Sequence, residues 1–222
     1  MKISHAIIMA AGRGTRLMPL TKKFPKGMIK VKNNTLISNG IHKLKKQIKY
    51  LHITVGYKKS ILAKYVIEKN VSSVFNTEGK GNAWWIFNTT LKYLNEPMFV
   101  LTCDNITEVS FKKIENDYKK KNNPICMLVP IKPIKGLEGD YIHHKNKFVK
   151  ELSRSKKSNI YCTGIQIINP FKINQIMQKQ KDFKSVWSNL IKMKKVLVSD
   201  VMPKKWFTID NPRQLKNYIK DN

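Results

Sequence analysis

A glycine-rich segment lies near the N-terminus, at residues 9–21, with the sequence MAAGRGTRLMPLT. Its residue types and their spacing are better suited to binding a ligand than those of any other segment in this chain. It follows a short apolar run, residues 6–9, that is typical of a buried strand. Small residues let the backbone pass close to a ligand, and larger side chains there would block the approach. The small positions are Ala10, Ala11, Gly12 and Gly14.

Positive charge accompanies this segment. Arg13 and Arg16 lie within it, and Lys26 follows shortly after. The N–H groups of such a turn form a concavity that attracts anions, so the segment predicts a polyphosphate site. Two common phosphate loops are excluded. Leu17 stands where a dinucleotide fingerprint has its third glycine, and no Gly-Lys-Ser/Thr ending is present.

The pattern Ala-Ala-Gly-Xaa-Gly-Thr-Arg-Leu-Xaa-Pro-Leu-Thr, with Pro-Lys nine and ten residues after Arg16, resembles the signature of the sugar-phosphate nucleotidyltransferases. The resemblance implies an enzyme that joins a nucleoside triphosphate and a sugar 1-phosphate and releases pyrophosphate. It implies that Arg16 grips the β- and γ-phosphates and that Lys26 lies against the α-phosphate or the sugar phosphate. It also places Thr15, with the small residues of the loop, on the nucleotide.

A carboxylate site is expected after residues 99–102, because these read as a buried strand that ends at Cys103-Asp104-Asn105. An acid at that end points into the crevice where the glycine loop also ends. The resemblance implies that Asp104 is a Mg²⁺ ligand, with Cys103 where relatives usually have glycine. Mg²⁺ is usually held by one or two carboxylates together with phosphate oxygens and water.

The second metal ligand is expected near the C-terminus. Many relatives carry an aspartate in a Trp-Xaa-Asp-Xaa-Gly-Thr segment, whereas this chain reads Trp206-Phe-Thr-Ile-Asp210 and has Thr208 at that position. A branch resembling the choline-phosphate cytidylyltransferases reads Trp-Xaa-Glu-Ile-Asp, and Asp210 matches its last acid. We therefore expect Asp210 to be the second Mg²⁺ ligand. The alternative is a turn residue before the last helix.

The contacts to the base and to the acceptor are expected from weaker likenesses. Gly81 and Asn82 resemble a Gly-Thr-Ala-Gly segment that meets the nucleobase in relatives. Thr163 and Gly164 resemble an Asn-Xaa-Gly segment that touches the sugar. Relatives often bind the sugar phosphate with the lysine of Glu-Lys-Pro. This chain has Glu-Leu-Ser-Arg-Ser-Lys there, so we expect Arg154 or Lys156 to bind the sugar phosphate instead.

Apolar runs alternate with segments of helical period, which favours an α/β fold with a doubly wound, mostly parallel, Rossmann-like sheet. We expect strands at 6–9, 51–55, 73–75, 98–102, 125–129, 148–152, 163–168, 196–201 and 206–209. We expect helices at 36–48, 60–67, 82–94, 110–120, 170–179, 185–193 and 212–219. A small β insertion is expected to bind the acceptor.

The length of 222 residues fits one domain. We expect a nucleotide-binding part, 1–130, and an acceptor-binding part, 131–222, with a C-terminal helix. No run of about 18 apolar residues exists, so no membrane insertion is expected. Three cysteines without metal-ligand spacing favour reduced thiols in the cytoplasm. His143-His144 has no ligand partner at metal spacing and is expected in a solvated hairpin turn.

The formal net charge is +29, and the excess is almost entirely lysine scattered along the chain. Arginine clusters and aromatic platforms are absent from the sequence, so no specific nucleic acid is expected as a partner. A composition rich in lysine accounts for the charge, and general attraction of anionic substrates is the alternative. The expected partners are an NTP and a sugar 1-phosphate, bound by a monomer or homodimer.

Two rival functions stay open at this point. One is a cytidylyltransferase that acts on a non-sugar phosphate such as phosphocholine, which the Ile-Asp ending favours. The other is a non-catalytic homologue that binds a nucleotide or an anionic polymer. The sequence determines neither the nucleobase nor the acceptor.

Overall fold

Strands and helices alternate across residues 2–220, the part of the chain that the computed structural model describes. The strands are β1 His5–Met9, β2 Lys30–Val31, β3 Asn34–Thr35, β4 Tyr50–Val55, β5 Ser73–Asn76, β6 Met98–Thr102, β7 Asn105–Glu108, β8 Cys126–Ile131, β9 Tyr141–Lys145, β10 Phe148–Ser153, β11 Tyr161–Ile168, β12 Val196–Val198 and β13 Lys205–Thr208. The helices are α1 Leu36–Lys45, α2 Lys59–Ile67, α3 Trp84–Asn88, α4 Phe111–Lys120, α5 Pro170–Ile176, α6 Phe183–Lys192 and α7 Pro212–Lys220.

A nine-stranded sheet forms the centre, in the order β5-β4-β1-β6-β11-β8-β12-β10-β9. Strands β5, β4, β1 and β6 run parallel, and Ile8 lies opposite both Ile53 and Leu101. Strand β11 enters antiparallel between β6 and β8, so the sheet is mixed beyond the first four strands. The α/β fold predicted from the alternation is confirmed.

Both faces of the sheet are covered, as a doubly wound fold requires. Neighbouring residues of β1 point to opposite sides because side chains alternate along a strand. Ile8 packs with Ile37 and Leu44 of α1 on one face. Ile7 packs with Trp85 on the other face. All five side chains are almost fully buried, which fixes β1 at the centre of the molecule.

Several predicted elements differ from the structure by up to three residues at one end or both, and two predictions differ more. The helix expected over 82–94 ends at Asn88, because Thr89 is extended and its hydroxyl accepts from Leu91 N at 3.3 Å to begin a short 3₁₀ turn. The histidines expected in a turn lie inside β9 instead. The hairpin turn is at Asn146 and Lys147, which both have positive φ, as a two-residue hairpin favours.

None of the helices in residues 2–220 is both long enough and apolar enough to cross a membrane. The three cysteines are free thiols.

Candidate active site

The glycine-rich loop is anchored to both strands that flank β1. Ala10 N donates to Thr54 O at 3.2 Å, and Tyr57 N donates to Ala11 O at 3.0 Å, so the loop is tied to the end of β4. On the other side, Cys103 N donates to Met9 O at 3.1 Å. The loop therefore lies at the carboxyl ends of β4, β1 and β6, where open α/β sheets bind ligands.

The loop residues divide into buried and open positions. Ala10 is 1% exposed and belongs to the core. Gly12 is exposed, and a Cβ placed on it would have no atom within 4 Å. Thr15 is exposed as well, at the start of a short 3₁₀ turn, Thr15–Leu17. The open part of the loop, from Gly12 to Arg16, is thus the part that a ligand can reach.

Gly14 is the loop residue that packs against Lys26. Its φ of 66° lies in the left-handed region, and a Cβ there would stand 3.0 Å from the Cβ of Lys26. Thr21 Oγ1 donates to Gly14 O at 2.9 Å and closes this turn. Glycine is needed here because any side chain would both strain the backbone and displace Lys26.

A two-stranded ribbon brings the two predicted carboxylates together. Strands β7 and β13 pair antiparallel, with Thr208 opposite Asn105. The ladder continues one step further, where Ile209 N donates to Asp104 O at 3.1 Å. Asp104 and Asp210 consequently flank the same end of the ribbon. That end lies at the carboxyl ends of the parallel strands, beside the glycine loop.

The ammonium group of Lys26 lies between these carboxylates. Its Nζ donates to Asp104 Oδ2 at 2.6 Å and to Asp210 Oδ1 at 2.7 Å. The Lys26 side chain is only 11% exposed and each aspartate side chain 22%, so water screens the three charges weakly. The structure therefore brings together three of the four residues predicted to carry the chemistry.

The pKa values of two of these groups follow from the arrangement. Burial lowers the pKa of Lys26, but the charge and hydrogen bonds of Asp104 and Asp210 outweigh it, so the pKa is raised. Burial raises the pKa of Asp210, but its hydrogen bond to Lys26 and the charges of Lys26 and Arg16 lower it below the ordinary value. Both groups are charged at neutral pH.

Arg16 completes the cluster from the exposed side. One guanidinium nitrogen lies 3.3 Å from Asp210 Oδ1, and another lies 3.9 Å from Glu138 Oε2. The Arg16 side chain is 61% exposed, so these pairs contribute little stability and leave the guanidinium accessible to an anion. Lys26 and Arg16 thus differ in setting: one is enclosed and the other faces the crevice.

Cys103, which precedes Asp104, is buried. Burial, and then the negative charge of Asp104, raise the pKa of its thiol to about 12. The thiol is therefore protonated at neutral pH, a state that does not favour nucleophilic attack.

The donor set fits a hard divalent cation. Asp104 and Asp210 supply two carboxylates within hydrogen-bond reach of a single point, and Mg²⁺ requires no more than that from a protein when phosphate oxygens and water complete its shell. Among residues 2–220 no group of three or more His, Cys, Asp and Glu side chains is placed to hold a metal. A site formed entirely by protein ligands therefore does not fit the described residues.

The predicted base-binding segment is held in place by the chain ahead of α6. A Cβ on Gly81 would lie 2.1 Å from Lys181 O, and the Asn82 side chain accepts from Phe183 N at 2.8 Å. Ala83 N donates to Lys181 O at 3.1 Å. These contacts give Gly81 and Asn82 a structural role, and their contact with a base stays a prediction.

Thr163 and Gly164 pack against Asn105, the residue that follows Asp104. Thr163 is 1% exposed, its hydroxyl donates to Val129 O at 2.8 Å, and its carbonyl accepts from the Asn105 side chain and from Trp206 Nε1. Gly164 has φ 81°, and a Cβ there would lie 2.7 Å from Asn105 Nδ2. Both residues thus position Asn105, the neighbour of Asp104, while contact with the acceptor remains a prediction.

Arg154 and Lys156 lie on the exposed turn that follows β10. Arg154 Nε donates to Asp140 Oδ1 at 3.0 Å, and Lys156 Nζ donates to Glu151 Oε2 at 3.0 Å. Each charge is paired with a nearby acid, and neither makes a hydrogen bond or ion pair with the Lys26 cluster within residues 2–220. Both side chains are thus engaged by neighbouring acids, and their contact with a sugar phosphate stays a prediction.

Sequence reasoning missed Gln214 and Glu138. Gln214 is 7% exposed, and its Oε1 accepts from Asp210 N at 2.7 Å. An asparagine three residues before a glutamine is a pattern typical of helix starts, so Asn211 and Gln214 carried a usable signal. Glu138 lies in a loop with no comparable pattern.

A second concavity lies apart from these residues. It is a cleft of about 670 Å³ beside the β7–β13 ribbon, and none of the predicted site residues lines it. Four lysines are among its lining residues, which are Lys43, Ile106, Thr107, Glu108, Ile131, Lys132, Pro133, Ile134, Lys204, Lys205, Trp206, Phe207 and Tyr218.

Comparison with known sequences identifies relatives along most of the chain. The family model described as nucleotidyl transferase matches residues 5–207. Mannose-1-phosphate guanylyltransferase 1 of Arabidopsis thaliana is 25% identical over 223 aligned positions, which cover 94% of this chain and 62% of that protein. The chain thus spans about three fifths of the length of this curated relative.

Comparison with solved structures gives the same fold. A putative glucose-1-phosphate thymidylyltransferase from Bacillus anthracis superposes with a TM-score of 0.80 at 18% identity, covering 97% of this chain and 94% of that one. The CTP:phosphocholine cytidylyltransferase from Streptococcus pneumoniae superposes with a TM-score of 0.78 at 20% identity, covering 100% of this chain and 99% of that one. At these identities the likeness establishes the fold.

Proposed function

Since the chain belongs to the nucleotidyl transferase family, we propose that it transfers a nucleoside monophosphate from an NTP to a sugar 1-phosphate, with Mg²⁺, and releases pyrophosphate. The observation that carries this proposal is the convergence of Lys26, Arg16, Asp104 and Asp210 at the edge of the sheet where the glycine loop ends. The names of relatives that the sequence matches, such as the Arabidopsis mannose-1-phosphate guanylyltransferase, include a sugar 1-phosphate as substrate.

The proposed reaction needs charge neutralisation more than covalent catalysis. An oxygen of the sugar phosphate attacks the α-phosphorus of the NTP, and the bond from that phosphorus to the oxygen bridging to the β-phosphorus breaks. The electron pair leaves with pyrophosphate. Lys26 would stabilise the charge that develops at the α-phosphate, and exposed Arg16 would hold the β- and γ-phosphates as they depart.

Asp104 and Asp210 would hold the divalent cation. When bound, the cation supplies positive charge that offsets the repulsion between the triphosphate and the incoming phosphate. Residues 12–16 would hold the triphosphate through the exposed part of the glycine loop. Three free thiols fit a reducing compartment, which supports the cytoplasm as the place of action.

A second candidate is transfer of CMP to a non-sugar phosphate such as phosphocholine. The observation in its favour is that Asp210, at the end of the Ile-Asp dipeptide, reaches Lys26, while Thr208 carries only a hydroxyl that lies 3.3 Å from Asp210 Oδ2. The superposition on the phosphocholine cytidylyltransferase is compatible with this candidate at the level of the fold.

The proposal is tested by pyrophosphate release in the presence of Mg²⁺. ATP, CTP, GTP, UTP and dTTP are each paired with a panel of sugar 1-phosphates and with phosphocholine. We expect release with one pair, loss of release in Asp104→Asn, and no loss in Glu68→Gln, which removes an exposed carboxylate remote in sequence from the site. Release with phosphocholine alone would select the second candidate.

Silence across the whole panel would contradict both candidates. Binding of anionic polymers that falls steeply with salt would then favour the non-catalytic homologue, because each phosphate contact releases counterions.

A further inference from the structure

Lys26 is already bonded to both carboxylates that a divalent cation would use. Its Nζ lies 2.6 Å from Asp104 Oδ2 and 2.7 Å from Asp210 Oδ1, so one oxygen of each aspartate is occupied. The Lys26 side chain is 11% exposed and packs beneath Gly14, whose position for a Cβ is 3.0 Å from the Lys26 Cβ. The contact is therefore enclosed.

Electrostatics makes the ammonium and a divalent cation competitors. Two carboxylates at this spacing repel each other, and in a weakly screened setting they need a counter-charge. Lys26 supplies that charge in the free protein, and Arg16 adds part of another at 3.3 Å from Asp210. A cation that binds the same two carboxylates must either displace the Lys26 ammonium or bind more weakly, because the ammonium repels it.

We propose that Lys26 acts as an internal counter-ion, which keeps a divalent cation off Asp104 and Asp210 until a phosphate group draws its ammonium away. This inference rests on the proposed function, because the phosphate is that of the proposed NTP or acceptor. The single ammonium group of Lys26 bonds both aspartates. When that group moves from the carboxylates to a phosphate, both aspartates become free at once. Cation binding and phosphate binding are therefore coupled through one side chain.

The test is binding of Mn²⁺ alone, measured from the paramagnetic resonance signal of the free ion with no nucleotide present. We expect Lys26→Met to bind Mn²⁺ at least about tenfold more tightly than the unmodified protein, because the competing charge is gone. Lys23→Met removes the same charge from an exposed position in the same loop and is expected to change the affinity less than about twofold.

A double variant locates the effect. Adding Asp210→Asn to Lys26→Met should abolish the gain, because one of the two carboxylates is then neutral. Lys26→Gln serves as a second neutral variant, since its amide still donates hydrogen bonds and protects the fold. Thermal unfolding checks that each variant is folded. An affinity of folded Lys26→Met and Lys26→Gln no higher than that of the unmodified protein would overturn the proposal.

Pyrophosphate release in the same preparations separates this inference from the proposed function. Tighter Mn²⁺ binding by the Lys26 variants without any transfer by the unmodified protein would support the counter-ion and contradict the function. Transfer by the unmodified protein without tighter binding by the variants would contradict the counter-ion alone.

Discussion

Asp104 and Asp210 share one ammonium group, since Lys26 Nζ donates to their carboxylates at 2.6 and 2.7 Å. The pair is created by the backbone: Ile209 N donates to Asp104 O at 3.1 Å at the end of the β7–β13 ribbon. Two acids from distant parts of the chain are thereby held at one edge of the sheet, beside the loop that carries Arg16.

Replacement of Arg16 by alanine should reduce kcat/KM for pyrophosphate release by roughly 10²–10³, the loss typical of a group that stabilises charge in the transition state. Its exposed guanidinium, near Asp210, is placed to receive phosphate. Arg213→Ala removes an exposed arginine from α7 and should leave the rate nearly unchanged. Equal losses in the two variants would indicate a general charge effect.

Gln214 should act through Asp210. Gln214→Leu removes the acceptor for Asp210 N, and a buried N–H without a partner costs about 1–3 kcal/mol. We expect a loss of that size in the free energy of unfolding by urea, together with slower pyrophosphate release. Gln214→Glu keeps an acceptor oxygen but adds a carboxylate beside Asp210, so it should recover both only in part. A Leu variant as stable and active as the unmodified protein would contradict this role.

Two glycines should respond differently to alanine. Gly81→Ala places a Cβ 2.1 Å from Lys181 O, so the backbone must shift, and overpacking of this kind costs about 1–3 kcal/mol. Gly12→Ala meets no atom within 4 Å, so its effect on stability should stay within about 0.5 kcal/mol. If the loop backbone approaches the triphosphate, Gly12→Ala should raise the KM for NTP without changing the unfolding midpoint.

Stability should fall in mild acid because of His52. Its burial, and then the charge of His5, lower the pKa of His52 from 6.5 to about 4. In the unfolded chain the imidazole takes up a proton near pH 6.5, so between that pH and about 4 the unfolded state binds more protons. The free energy of unfolding should therefore decrease as the pH falls through this window, by up to about 3 kcal/mol.

Urea unfolding at pH 7.5, 6 and 5 measures this dependence. His52→Asn removes the group that titrates and should flatten the slope. His42→Asn removes an exposed histidine and should leave the slope as it is. An unchanged slope in His52→Asn would assign the acid sensitivity to other groups.

The strands that carry the site could be predicted from local patterns. Residues 98–102 were predicted as a strand and form β6 with the same bounds, so the position of Asp104 at its end followed directly. The final helix was also predicted, and the Asn211 side chain accepts from Gln214 N at 2.9 Å as its cap. Both elements are encoded by neighbouring residues.

The meeting of Asp104 with Asp210 could not be predicted from pattern alone. Strand β7 is four residues long and carries polar side chains, so its period is not evident, and its partner β13 lies far away in sequence. Thr163 shows a similar limit: the likeness to relatives pointed to the acceptor, whereas its hydroxyl and carbonyl are engaged by the protein itself. Such contacts depend on which distant segments pair.

The most direct test is pyrophosphate release by Asp104→Asn, Asp210→Asn and the double variant, with the substrate pair that the panel identifies. If the two carboxylates hold one cation, each single variant should lose at least about 10²-fold, and the double variant should lose no more than the worse single one. Retention of full activity in either single variant, or losses that multiply in the double variant, would contradict a shared site.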